Sequence, residues 1–477
     1  MPMKSIAGIP IEIVRRNASV ILTLLPPVFA FLLALLPSLR YSTPLTWDIY
    51  YHIHNAMLYM DRGIVFWDPL TCAPYGRPIC YPPLFHIMLT LLVKITGIGF
   101  LTVARFIQPV MAFLIILSFS YIAGRFYGSL AGFLTGMLSI SSLFFLRIIM
   151  PIPESLAMIF LPFFVYGYHL SMENDSKIYP VFTGIILGVL MLTHILSSAM
   201  ALAVVLISVL AFRISRYGIK SGNLLLIILT GFMLAMIWYA PLLIKYGFFF
   251  RPPPADPLSI VGYLNHLGAL LTVLALTGLI CALKRRERRD ILMASWFIFV
   301  LALSAGYTVG LKVLSDRILY FALFPAAAMG ASIFNSMKVA DSRWPVYVLV
   351  LFISVYSLCS GYGIAGTVKP EVSESELEVA QWFKYNGDHK TVVVSDYHVQ
   401  PLIVSIAGQP VSAGGYAPGS RGTIDARKYT VTLEYTEDDI RIDRVGYIIL
   451  DTKNRKTPPY SRKVYRNMDF VVYRVEV

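Results

Sequence analysis

The sequence predicts a mainly α, polytopic helical membrane protein with about eleven transmembrane helices and a small C-terminal extracytoplasmic α/β domain. Its 477 residues are 57% hydrophobic and only 14% charged, whereas a soluble protein is usually about half apolar and about a quarter charged. Apolar segments long enough to cross a bilayer recur up to residue 363, and the composition changes after it. The predicted division is a transmembrane domain, 1–363, followed by a soluble α/β domain, 364–477.

Eleven segments have the length and composition of membrane spans. The first follows basic residues and is too long for a typical signal-peptide core, so we expect it to be retained. The segments are 18–38, 100–123, 128–147, 154–171, 178–194, 196–212, 222–244, 264–283, 291–310, 317–334 and 344–363.

A twelfth segment, 81–97, is ambiguous. On a helix its residues His86, Thr90 and Lys94 form a polar stripe opposite an apolar one, which favours a helix lying in the membrane interface. If 81–97 spanned, the basic cluster KRRERRD (284–290) would lie outside, against the positive-inside rule. We therefore expect a multi-pass cell-membrane protein with a cytoplasmic N-terminus, a first external loop at 40–99 and an extracytoplasmic tail. Because membrane orientation accounts for the net charge of +13, no nucleic-acid partner is expected.

The tail has the signals of an α/β domain. Ser373 and Glu376 form a capping-box pattern that opens a helix through about Tyr385. Three apolar stretches are typical of strands: TVVVSD (391–396), VGYIILD (445–451) and FVVYRVEV (470–477).

The four cysteines provide neither a disulfide scaffold nor a CxxC zinc pair. Cys72 and Cys80 lie in the predicted external loop, where oxidation is permitted. Pro74 and Gly76 favour a chain reversal between them. The sequence therefore predicts a disulfide between Cys72 and Cys80.

Ionisable residues collect on the predicted external side. Asp48 and His52 are four residues apart on a predicted helix, while Glu154, His194 and Arg317 stand at the outer ends of later spans. Because such residues are costly near a bilayer, their convergence from four loops favours a functional site.

Each of these residues also has a structural explanation. Asp48 could cap its helix, and Glu154 could interact favourably with a helix dipole. His194 could satisfy backbone groups at a tight turn, and Arg317 could extend to the interface. Three further polar residues are expected to be structural or peripheral: His54, Asp68 and His86.

The convergent groups suit glycosyl transfer from a lipid-linked phosphosugar. An acid can act as general base toward an acceptor hydroxyl or amide, and Arg or His can stabilise the departing phosphate. A pair of carboxylates could alternatively hold a divalent metal such as Mg or Mn. In either case the lipid carrier would stay in the bilayer beside the site.

Several stretches resemble the GT-C superfamily of membrane glycosyltransferases, above all the oligosaccharyltransferase catalytic subunit and related prokaryotic proteins. WDIYYHI, FWDPL and YGRPICYPPLFHIML are similar, in that order, to their first external loop. RIIMPIPESLAMIFLPFF resembles the second external loop, with its Arg and Asp-x-Asp/Glu motif. AQWFKYNGDHKTVVVSDYHVQPLIVSIAGQPVSAGGY is similar to the start of the soluble domain.

The resemblance implies that Asp48 and Glu154 are the catalytic acids, and that they are the candidate ligands of a divalent metal. It matches Arg317 to the residue that meets the lipid phosphate. His52, His194 and Tyr81 join Arg317 as candidates for substrate or phosphate binding. The implied partners are a polyprenyl-phosphate-linked sugar donor, membrane lipid, and a glycan, lipid or protein acceptor.

Two departures from the family pattern affect these expectations. Ile152 replaces the first acid of the Asp-x-Asp motif, which weakens the case for a metal. SDYHVQP stands where the family has Trp-Trp-Asp-Tyr-Gly, so protein N-glycosylation is not supported. The alternatives are a transporter or lipid flippase, for which inverted repeats and broken helices would be expected, and a non-catalytic GT-C relative.

Overall fold

The computed structural model describes residues 11–247, 256–336, 344–415, 422–454 and 456–477, without the side chains of 11–16, 335 and 336. The helices of these ranges are α1 (Ile11–Arg40), α2 (Asp48–Arg62), α3 (Leu84–Thr96), α4 (Phe100–Tyr127), α5 (Ser129–Ser141), α6 (Phe145–Ile148), α7 (Pro153–Glu173), α8 (Ile178–Thr193), α9 (Ile195–Ile214), α10 (Ser221–Tyr246), α11 (Ile260–Leu267), α12 (Ala269–Arg285), α13 (Arg288–Ser304), α14 (Ser315–Tyr320), α15 (Leu323–Ser336), α16 (Trp344–Thr367), α17 (Glu374–Asn386), α18 (Gln400–Ala407) and α19 (Glu437–Asp443). The strands are β1 (Trp67–Asp68), β2 (Arg77–Pro78), β3 (Val392–Val394), β4 (Val445–Asp451), β5 (Ser461–Arg466) and β6 (Phe470–Val475).

The chain forms two compact units. The first unit comprises Met1–Ser42, Phe106–Ile237 and Pro252–Lys369, and the second comprises Thr43–Arg105, Trp238–Arg251 and Pro370–Val477. The second unit thus combines the predicted first external loop with the tail. The predicted division of the chain at 363/364 stays a prediction.

Every predicted span contains helical structure. Among the described residues, seven helices are long and apolar enough to cross a membrane when α14 and α15 are counted as one, Ser315–Phe334. The pair α11 and α12, bent by 94°, adds an eighth if it is one span. The other three predicted spans contain shorter helices of 13, 16 and 17 residues, namely α5, α8 and α13. The multi-pass helical fold is therefore confirmed, whereas the orientation of the termini stays a prediction.

The basic cluster 284–290 ties several helix ends together in the first unit. Arg288 donates to the carbonyl of Met172 near the end of α7 at 2.7 Å, and to that of Gly218 between α9 and α10 at 2.5 Å. Arg289 donates to a carbonyl near the end of α4. The sequence predicts all these ends on one side of the membrane, and the structure brings them together.

The second unit has a four-stranded sheet of order β3-β4-β6-β5, in which β3 and β4 are parallel and the other pairs antiparallel. The three predicted strands are confirmed as β3, β4 and β6, and the capping box at Ser373 and Glu376 is present. The sequence did not predict β5, because SRKVYR is an edge strand with mostly exposed or half-buried side chains and lacks an apolar face.

Within this unit the predicted first external loop is hydrogen-bonded to the tail. The Cys72 N–H donates to the Ala413 carbonyl at 2.9 Å, and the Val411 N–H donates to the Leu70 carbonyl at 2.8 Å. The buried Arg77 guanidinium donates to two more tail carbonyls at 2.8 and 3.0 Å. Since Arg has five fixed donors, it suits this bridging position.

The predicted disulfide between Cys72 and Cys80 is wrong, because the structure contains both as thiols. The chain does reverse, but Tyr75 and Gly76 close the turn directly on the Cys72 carbonyl. The following strand β2 then pairs with β1, and the Ile79 N–H donates to the Phe66 carbonyl. This register carries Cys80 past the start of β1 rather than back to Cys72.

Helix α3 has 13 residues, too few to span a bilayer. Two members of its predicted polar stripe, His86 and Thr90, are buried against the protein, whereas the third, Lys94, is exposed. On the other side, Leu91 and Ile95 are 51% and 79% exposed. An amphipathic helix of this length suits the membrane interface, as the sequence predicts.

Candidate functional site

A partly buried ion-pair network lies at one end of the first unit. Arg147 Nη1 is 2.5 Å from Glu154 Oε2, and Arg147 Nη2 is 3.0 Å from Asp316 Oδ2. The Glu154 side chain is only 5% exposed. One guanidinium therefore joins two carboxylates that come from sequence positions far apart.

The local sequence explains how Glu154 reaches this position. Pro151 and Pro153 interrupt the helical run after α6, and α7 restarts with Pro153 in its first turn. Glu154 thus lies at a helix N-terminus, where the dipole favours a carboxylate. The Ser155 hydroxyl donates to the Arg147 carbonyl at 2.9 Å and closes the loop.

Further hydrogen bonds gather the neighbouring loops of this unit. The Leu143 N–H donates to the His266 carbonyl at 3.1 Å, which ties the end of α5 to α11. Asp256 pairs with Leu314 just before α14. The loops that carry Arg147 and Asp316 are therefore held at the same end of the unit.

His194 caps a helix in this neighbourhood. Its Nδ1 is 2.8 Å from the Ser197 hydroxyl and accepts the Ser197 N–H at the start of α9. Burial lowers the pKa of His194 to about 4; Glu154 opposes this shift, whereas Arg317 and Arg147 add to it. The capping explanation is thus correct for His194. The His194 side chain also lies within electrostatic range of Glu154 and Arg317.

Arg317 differs from Arg147 in its exposure. It is exposed in the first turn of α14, and within the described ranges it forms no hydrogen bond or ion pair. A guanidinium without such partners can bind an external anion. The structure therefore leaves Arg317 open to the predicted contact with a lipid phosphate.

Asp48 belongs to the second unit. Helix α2 begins at Asp48 itself, so this residue is in the first turn and Trp47 is the N-cap. Glu371 fixes the start of α2 by accepting from the Thr46 hydroxyl at 3.0 Å and from the Trp47 N–H at 2.7 Å. Asp48 is half-buried on a firmly held helix end, and the explanation that its side chain is the N-cap is not supported.

His52 does not face outward as the predicted phosphate contact requires. It is 4% exposed, and its Nδ1 lies 2.9 Å from His86 Nε2. The half-buried Tyr81 ring packs edge-on against His52, with centroids 4.9 Å apart. His52 thus helps to join α2 to α3, and a contact of His52 or Tyr81 with phosphate stays a prediction.

The residues expected to be structural do occupy structural positions. His54 Nε2 is 2.9 Å from Asp68 Oδ2. Asp68 also accepts from the Thr71 hydroxyl and from backbone N–H groups of its own turn. Although burial raises the pKa of Asp68, His54 and Arg77 outweigh that effect and hold it well below its usual range.

Sequence reasoning gave no role to Asp316, and none to Arg147 although it is the Arg of the second-loop motif. The usable signal was that each is an ionisable residue beside an apolar run near a predicted outer helix end. Neither one has a spacing that identifies the other, because 169 residues separate them.

Glu154 and its neighbours do not fit a divalent metal. Arg147 already bridges Glu154 and Asp316, and Ile152 supplies no oxygen ligand. No group of three or more His, Cys, Asp or Glu side chains suited to a metal ion occurs within the described residues. The predicted pairing of Asp48 with Glu154 at a Mg or Mn ion stays untested.

Comparison with known proteins gives a family. Residues 14–321 match the model described as "Family of unknown function (DUF6541)". The chain belongs to this family. No curated protein matches it in sequence.

Solved structures share the fold at low sequence identity. The Archaeoglobus fulgidus oligosaccharyltransferase in the apo form has a TM-score of 0.69 at 14% identity, over 90% of this chain and 69% of that one. ArnT from Cupriavidus metallidurans in the apo state has a TM-score of 0.68 at 12% identity, over 97% and 98%. The arabinofuranosyltransferase AftD from Mycobacteria has a TM-score of 0.62 at 14% identity, over 100% and 42%. The GT-C fold implied by the resemblance is therefore confirmed.

Some of these proteins were solved with ligands. The archaeal oligosaccharyltransferase AglB is in complex with an inhibitory peptide and a dolichol-phosphate. ArnT is bound to undecaprenyl phosphate. The A. fulgidus enzyme is also known in complex with Zn and sulfate.

Proposed function

We propose that this protein is an integral membrane glycosyltransferase. It transfers a sugar or oligosaccharide from a polyprenyl-phosphate-linked donor to a glycan, lipid or protein acceptor on the external membrane face. The observation that carries the proposal is the exposed Arg317, which forms no ion pair among the described residues and acts electrostatically on His194 together with Glu154 and Arg147. The fold is shared with solved proteins that were found in complex with dolichol-phosphate or undecaprenyl phosphate.

The proposed reaction uses two acids, Asp48 and Glu154. Asp48 takes the proton from the acceptor hydroxyl or amide as its oxygen or nitrogen bonds to the anomeric carbon. The bond from that carbon to the phosphate oxygen breaks, and its electron pair leaves with the polyprenyl phosphate. Arg317 stabilises the phosphate charge through its planar donors. Glu154, held by Arg147, contacts the donor sugar.

The test is cleavage of a lipid-linked donor by the full chain. Purified protein in lipid nanodiscs is incubated with a panel of polyprenyl-phosphate sugars and with acceptor glycans, lipids and peptides. We expect free polyprenyl phosphate and a glycosylated product by mass spectrometry. In parallel vesicles, a flippase would move labelled donor between leaflets with the sugar still attached. That outcome, or an intact donor across the panel, would contradict the proposal.

A further inference from the structure

We infer that Arg147 is a fixed cation that neutralises the carboxylate of Glu154. It takes the charge-neutralising place that a divalent metal would take at Glu154, so transfer does not require Mg²⁺ or Mn²⁺. The inference deepens the proposed function and rests on it for the reaction, but the binding of metal at Glu154 can be measured without the reaction.

The geometry of the guanidinium supports this role. Its two terminal nitrogens each bond a different carboxylate, and the Arg147 side chain is only 17% exposed. Such charge-assisted bonds are short and directional. A divalent ion at the same oxygens would lie within a few ångströms of a fixed positive charge, and at partial burial that repulsion is large.

One oxygen of Glu154 remains, and it suits a sugar better than a metal. Glu154 Oε1 is buried without a hydrogen-bond partner among the described residues, and so is the Tyr320 hydroxyl. Tyr320 lies within electrostatic range of Glu154 and Arg147. Mg²⁺ demands nearly octahedral oxygen ligation, which a single carboxylate oxygen beside a guanidinium does not provide.

A buried acceptor within electrostatic range of a buried hydroxyl matches the chemistry of a sugar hydroxyl. Leaving both atoms unpaired is costly, and a hydroxyl of the donor sugar can donate to Glu154 Oε1 and accept from Tyr320. Arg147 holds Glu154 Oε2 and thereby orients Oε1. Because Arg147 neutralises the carboxylate of Glu154, Arg317 is not needed for that and its charge can neutralise the phosphate.

The first experiment measures metal binding and metal dependence on the wild-type protein. Mn²⁺ is titrated and followed by electron paramagnetic resonance, and donor cleavage is measured with EDTA, Mg²⁺ or Mn²⁺. We expect no Mn²⁺ site that depends on Glu154 and an unchanged rate in EDTA. Mn²⁺ binding at micromolar concentration that Glu154→Gln abolishes, or loss of activity in EDTA, would overturn the inference.

The second experiment removes the cation. Arg147→Ala should lower turnover by about 10²-fold or more, the size of effect seen when one charge-stabilising group is lost. Added guanidinium or Mg²⁺ should restore part of the rate. Arg285→Ala is the matched control, since Arg285 also pairs with a buried carboxylate, Asp290, at 2.7 Å. Guanidinium should not raise the turnover of its folded fraction.

Two results separate the inference from the proposed function. If the wild-type protein cleaves donor only with a divalent metal, the inference fails and the proposed function stands. If it cleaves no donor at all, the proposed function fails, and the Mn²⁺ titration of wild type and Glu154→Gln still decides whether Glu154 holds a metal.

Arg147→Lys, which keeps the charge but cannot bond both carboxylates, should retain more activity than Arg147→Ala.

Discussion

Arg147 Nη1 and Glu154 Oε2 are 2.5 Å apart in a unit built largely of apolar helices. Removing one member of a buried ion pair usually costs about 3–5 kcal/mol, because the other charge is left uncompensated. Here Asp316 would remain beside Arg147 at 3.0 Å, which should limit the cost when Glu154 alone is changed. The role of Glu154 in turnover can therefore be separated from its role in stability.

Glu154→Gln should reduce turnover by roughly 10²-fold, the scale of losing one charged group at a reacting centre. The amide oxygen of the variant can still accept a hydrogen bond from Arg147 or from the sugar. It carries no charge, and it cannot serve both donors as the two carboxylate oxygens do. The matched control is Glu173→Gln at the far end of α7, where Glu173 is half exposed and 3.4 Å from His169. Steady-state donor cleavage by the two variants is the measurement. Equal activity would remove Glu154 from the site.

Arg317→Lys keeps the charge and loses the planar pair of donors. We expect the KM for the polyprenyl-phosphate donor to rise roughly tenfold, the equivalent of one charge-assisted hydrogen bond. Lys312→Gln removes an exposed cation from the loop that precedes α14 and should leave the KM unchanged. A normal KM in Arg317→Lys would mean that Arg317 only extends to the interface.

The His194 pKa predicts a pH dependence of stability. Because burial holds this pKa near 4 in the folded state, below its ordinary value of 6.5, the unfolded state binds more protons between pH 4 and 6.5. Stability should therefore be full above pH 6.5 and fall as the pH drops toward 4. His194→Asn keeps a capping side chain and should flatten part of this fall in thermal unfolding followed from pH 4 to 8. Identical profiles would contradict the assignment.

Membrane orientation can be read from two engineered cysteines, in a background whose four native cysteines are replaced. Lys453→Cys in the tail should react with an impermeant maleimide in intact cells. Lys284→Cys in the basic cluster should react only after lysis, since the positive-inside rule places it in the cytoplasm. The reverse labelling pattern would invert the predicted topology.

Much of the fold follows from local signals in the sequence. The span segments, the capping box at Ser373 and the strands β3, β4 and β6 each depend on composition or spacing within one segment. The predicted Cys72–Cys80 disulfide failed because the β1–β2 register, which is set by pairing, decides where Cys80 goes. Strand β5 was not predicted, because its side chains do not alternate between apolar and polar.

The site was only partly predictable for a related reason. Asp48, Glu154 and Arg317 could be singled out because each is ionisable next to an apolar run. Whether such a residue is exposed or paired depends on distant partners: Arg147 is engaged by Asp316 from another loop, and His52 by His86 from another helix. Sequence spacing cannot reveal these pairs, so the roles of His52 and Arg147 emerged only from the structure.

The most direct test of the central claim is the rate at which Asp48→Asn releases polyprenyl phosphate from a lipid-linked sugar in a single turnover. Asn keeps the size of Asp but cannot accept the acceptor's proton, so the rate should fall by about 10²–10⁴-fold. The thermal midpoint should change little, because the loss of a first-turn charge costs about 1 kcal/mol or less. Asp61→Asn, an exposed change at the other end of α2, should leave the rate intact. Release by Asp48→Asn at nearly the wild-type rate would show that Asp48 is not the general base and would contradict the proposed site.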